Sequence, residues 1–87
     1  MDKIKQLIEA GNADEAIRLL DVLLAENASS DEAYFLRGRA YAKKGDFPHA
    51  LNNYLSAIAL NPDSPAVEAH SMLMKIMNFF NKDMYNH

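Results

Sequence analysis

Histidine is the side chain most often used for proton transfer and metal ligation near neutral pH, and this chain carries three: His49, His70 and His87. They stand far apart, and only His70 has a further candidate ligand one helical turn away, at Met74. A zinc site needs several nitrogen, sulfur or carboxylate ligands converging on one point, so each histidine reads as a surface residue and no metal is expected. Cysteine is absent, which excludes a thiolate nucleophile and a disulfide framework. Nothing spells H-E-x-x-H, G-x-S-x-G or a glycine-rich phosphate loop. Neither a cofactor nor an enzymatic activity is expected. What remains is the chemistry of recognition. Arg39 and Lys43 are one helical turn apart, and Phe35 lies one turn before them, so two cations and an aromatic ring share one helix face. Tyr34 and Tyr41 serve as the core-facing aromatics of that helix, which leaves Phe35 as an extra ring suited to binding.

These residues must be held by a small protein. Eighty-seven residues with 49% hydrophobic and 24% charged side chains make one globular domain, and a chain of this length buries only about 60–65% of its unfolded surface. The net charge is -3. It is unevenly spread: residues 1–32 hold eight acids and three bases, residues 33–87 four acids and six bases. No broad basic footprint for nucleic acid results. Asp2, Lys3, Lys5 and Glu9 interrupt the apolar stretch that a signal peptide or membrane span requires, so a cytoplasmic protein is expected. Asn27-Ala28-Ser29 has glycosylation-acceptor spacing but reads as a helix-ending loop.

Apolar residues recur every three or four positions almost throughout, and no segment alternates like a strand. Break signals at Gly11-Asn12, Asn27 to Ser30, Gly45-Asp46 and Asn61 to Ser64 divide the chain into helices predicted over 2–10, 13–26, 30–44, 47–60 and 64–80. Asn12 with Glu15, and Ser29 with Glu32, have capping-box spacing. Pro48 and Pro65 suit first helical turns, and Ser64 is a natural cap. Short connections make neighbouring helices antiparallel.

Laid over itself at an offset of 34, the chain pairs Gly11 with Gly45, Asn12 with Asp46, Ala16 with Ala50 and Leu20 with Tyr54, an internal repeat. Within 31–64 the run Tyr34-x2-Arg37-Gly38-x2-Tyr41, then Ala50-x3-Tyr54, Ala57 and Pro62, resembles the tetratricopeptide repeat signature at every spacing, except that Arg37 stands where leucine is usual. Gly38 and Ala50 are small where the two helices touch, Tyr34, Tyr41 and Tyr54 fill the space around that contact, and Gly45 ends the first helix in a left-handed conformation. The resemblance implies an all-α solenoid of antiparallel helix pairs, about 2.5 repeats in five helices: a shortened repeat over 1–30, a complete one over 31–64, and a capping helix with tail over 65–87.

The resemblance also implies a protein-interaction module that takes a peptide or helix of a partner in a concave groove. The groove positions then fall on Lys5, Ile8, Glu9, Glu32, Phe35, Arg39, Ala42, Lys43, Ala69, Leu73 and Met77. The carboxylate clamp of chaperone-binding relatives is missing, because its positions hold Met1, Lys5, Leu36, Ala66 and His70. Arg37 and Lys44 read as a solvated face. The last helix is apolar over nearly half its circumference, so Leu73, Ile76, Met77 and Phe80 form a candidate face for self-association into a homodimer. That scaffold role is the alternative to the binding module.

Overall fold

The computed structural model describes the backbone of residues 1–85 and the side chains of residues 1–79. Five helices follow in order: α1 Asp2–Glu9, α2 Ala13–Glu26, α3 Asp31–Lys43, α4 Phe47–Leu60 and α5 Ala66–Tyr85. No strand occurs among the described residues. The first four helices match their predicted bounds to within one residue. The last starts two residues later than predicted and continues to Tyr85 instead of stopping at residue 80, since neither glycine nor proline follows Pro65 to interrupt it.

The turns repeat with the period of the sequence. Gly11 N–H donates to the Ile8 carbonyl (3.1 Å) and Asn12 N–H to that of Leu7 (2.8 Å); thirty-four residues on, Gly45 donates to Ala42 (3.0 Å) and Asp46 to Tyr41 (2.9 Å). Both glycines sit at positive φ, +87° and +80°, where a side chain would be strained. At the other turns, Asn27 Oδ1 accepts from Ser29 N–H (3.1 Å) and Asn61 Oδ1 from Asp63 N–H (3.0 Å), the Asx turn that asparagine favours.

These turns correct both predicted capping boxes. With Ser29 held by Asn27, the α3 cap falls on Ser30, whose Oγ accepts from Ala33 N–H at 3.2 Å. Asn12 precedes α2 but makes no side-chain cap bond, and Glu15 pairs with Arg18 instead. Asp46 caps α4 by accepting from His49 N–H (3.3 Å), with Pro48 in the first turn. Ser64, itself buried, accepts from Ala66 N–H at 3.0 Å.

α3 is the centre of the stack. Its Ala33, Leu36 and Ala40 join Ile4 and Ile8 of α1 and Ala16, Leu20 and Leu24 of α2 in one core, while Ala50, Tyr54 and Ala57 of α4 form a second with Ala66 and Leu73 of α5. Tyr34, Phe35 and Tyr41 pack against both. A helix buried on two sides loses a clean polar face. Leu36, beside the unusual Arg37, is fully buried. α3 and α4 approach so closely at Gly38 that a Cβ there would lie 2.5 Å from the Tyr54 ring and 3.2 Å from the Ala50 carbonyl oxygen.

Candidate partner-binding groove

Residues 31, 32, 35, 39, 42 and 43 of α3 follow three- and four-residue spacing and so share one face. Two clefts open along it. The first, about 280 Å³, lies between Lys5 of α1, Asp31, Glu32, Phe35 and Leu36 of α3, and the Ser64–Pro65 entry to α5. The second, about 200 Å³, is lined by Arg39, Ala42 and Lys43 with Tyr54 of α4. Phe35 stands half-buried, its ring 6.1 Å from that of Tyr54 and tilted by 36°. Burial pushes the Tyr54 phenol up, with Arg39 opposing it.

The charges along this face are unequally free. Lys5 Nζ stands 3.9 Å from Glu32 Oε1, beyond hydrogen-bonding distance. Asp31 Oδ2 accepts from the neutral amide of Asn61 at 3.1 Å. Arg39 is held at 2.6 Å by Glu9, so its cation is already balanced from within the chain. Lys43 is exposed and has no carboxylate partner among the described residues.

The structure thus brings Lys5, Glu32 and Phe35 to one cleft and Arg39, Ala42 and Lys43 to the next. The expected α5 positions line neither. Leu73 is 6% exposed and belongs to the second core, against which Ala69 and Met77 are half-buried; Ile8 is fully buried. The turn that enters α5 contributes instead, through Ser64 and Pro65. The same correction bears on the self-association face. Leu73 offers almost no surface, Met77 is half-buried, and the side chain of Phe80 lies outside the described residues. Ile76 is 40% exposed and the adjacent Met72, 65%.

Arg37 is not a solvated residue. Its Nε donates to Asn53 Oδ1 (2.7 Å), its Nη1 pairs with Asp21 (2.8 Å), and its guanidinium lies 5.4 Å from the Tyr34 ring centroid. Asn53, buried, donates in turn to the His49 carbonyl at 2.8 Å. Arg37 therefore ties α2, α3 and α4 together at the position where the repeat usually has leucine. Lys44 likewise pairs with Asp14, which raises its pKa. The signal for both was present in the sequence, since the acid excess of residues 1–32 stands opposite the bases of α3. His49 is exposed, bound to Asp46 through Nδ1 at 2.8 Å and stacked on Tyr41. The described residues contain no cluster of three or more metal-ligating side chains, and no described helix is long and apolar enough to cross a membrane.

Antiparallel helix pairs with a 34-residue period, closely packed at Gly38 in the α3–α4 pair, define a helical repeat solenoid. The chain belongs to the tetratricopeptide repeat family, whose sequence pattern matches residues 1–65. It is 32% identical over 73 residues to cellulose synthase operon protein C of Escherichia coli (strain K12), and to the same extent to the putative cellulose synthase operon protein C of E. coli O157:H7. These matches cover 84% of this chain and only 6% of the length of those curated relatives. The solution NMR structure of Bacteroides fragilis protein BF1650 superposes with a TM-score of 0.87 at 53% identity, covering 98% of this chain and 87% of that one. Repeats of this family generally mediate protein–protein interaction.

Proposed function

We propose that this chain is a non-catalytic cytoplasmic interaction module that binds a peptide segment or helix of a partner protein along the exposed face of α3. Residues 1–30 act as a shortened repeat, 31–64 as a complete one and 65–87 as a cap. The observation that carries this reading is the cleft joining Lys5, Glu32 and Phe35 to Ser64–Pro65, because it draws on three successive parts of the stack and has an aromatic floor with charged rims. Photo-crosslinking tests it. With p-benzoylphenylalanine in place of exposed Glu32 or Lys43, a defined partner should crosslink in host cells, whereas labels at Met72 should not capture it. Crosslinks formed only from Met72 would refute the groove.

A second reading, a self-associating scaffold, is favoured by the exposure of Met72 and Ile76 on α5. Exposed apolar patches larger than a few hundred square ångströms mark association sites. Sedimentation at rising concentration should then show a dimer that Ile76→Glu abolishes with helix content unchanged. A strict monomer at about millimolar concentration, far above useful affinities, rules it out.

A further inference from the structure

We infer that the groove selects a segment with a fixed order of side chains: a cation over the Asp31–Glu32 end, an apolar or aromatic side chain over Phe35, and an anion over Lys43. This inference rests on the groove reading above and specifies its ligand. At the first cleft Asp31 and Glu32 outnumber Lys5, which gives a net charge of about -1 by formal count. Neither carboxylate is fully committed: Asp31 bonds a neutral amide, and Lys5 stays 3.9 Å from Glu32. At the other end Glu9 balances Arg39, while Lys43 remains unpaired among the described residues, which gives a net charge of about +1 by the same count. Phe35, half-buried against Tyr54, lies between.

The eleven helical steps from Glu32 to Lys43 span about 16 Å at a rise of about 1.5 Å each. An extended ligand covers that length in about five residues, a helical one in about eleven. Rim charges of this kind set order and orientation more than strength, so the apolar side chain over Phe35 provides most of the affinity.

The test is selection of phage-displayed random peptides of about twelve residues, long enough for either ligand form. The full chain and its Glu32→Lys and Lys43→Glu variants serve as three baits. The unmodified chain should enrich peptides with Lys or Arg and Asp or Glu flanking an apolar residue. Glu32→Lys should lose the basic preference alone, and Lys43→Glu the acidic preference alone. A synthetic peptide of the selected sequence should bind each variant about tenfold more weakly. Because a lysine at position 32 opposes the α3 dipole, Glu32→Gln and Lys43→Gln provide a milder pair if circular dichroism shows lost helix. Apolar peptides with no charge order, or the same peptides from all three baits, would overturn this inference and leave the groove reading standing. Failure of the unmodified chain to enrich any peptide would overturn both.

Discussion

At Gly38 the helices α3 and α4 leave no room for a side chain, since even a Cβ would meet the Tyr54 ring at 2.5 Å. Gly38→Leu should therefore destabilise by about 1–3 kcal/mol or more, lowering the melting temperature by roughly 4–8 °C per kcal/mol in a domain of this size. Gly38→Ala should cost less, because alanine recovers about 1 kcal/mol of helix propensity. A melting temperature unchanged by leucine would mean that the contact is misplaced. Arg37 makes a different prediction. Arg37→Met removes the donor to buried Asn53 and should cost about 1–3 kcal/mol in urea unfolding, whereas Asp21→Ala, at the exposed end of the same arginine, should cost below about 1 kcal/mol. Equal losses would contradict the unequal burial of its two partners. Resemblance to the repeat signature made Gly38, Tyr41 and Tyr54 legible. Phe35 was legible as an extra aromatic beside Tyr34 and Tyr41, but its packing was not: it contacts both cores, because α3 is covered on two sides. Phe35→Ala should consequently perturb folding as well as the proposed binding, and Phe35→Leu is the cleaner probe.

Helix starts were readable wherever Gly, Asn, Asp or Pro punctuates the chain, and misread where one punctuator acts through another. The Ser29 cap is such a case, because Asn27 draws the Ser29 N–H into an Asx turn. Asn27 and Asn61 stand 34 residues apart with the same bond, so the period carried this information too. The end of α5 was missed because a polar stretch without glycine or proline does not stop a helix. The start of α4 yields a pH prediction. Hydrogen bonding from His49, through its ring and its backbone N–H, holds the Asp46 carboxyl below the usual aspartate range. A depressed carboxyl pKa contributes stability present above the unfolded value, about 4, and lost as pH falls through the lower folded value. Asp46→Asn keeps a cap but cannot titrate. Thermal melts between about pH 5 and 2 should fall less steeply for Asp46→Asn than for the unmodified chain; parallel curves would show that this cap carries no acid sensitivity.

Across the whole molecule, the structure reveals a use for the uneven charge of the sequence. Glu9–Arg39, Asp21–Arg37 and Asp14–Lys44 all join the first helix pair to α3 or its end. Among the described residues no ion pair joins α5 to the stack, and the contacts of Ala66, Ala69, Leu73 and Met77 with the second core are apolar. Salt therefore acts on one seam and largely spares the other. In a linear repeat array, cooperativity depends on the coupling between neighbours. At about 1 M salt, where screening reaches within about 3 Å, amides of α1 and α2 should exchange with deuterium before those of α3 and α4, and the melt should broaden. At low salt the two halves should exchange together. Uniform exchange at both ionic strengths would show that apolar packing alone joins them. Ionic strength, acting from outside the fold, would then set whether these repeats open as one unit or unzip from the N-terminal end.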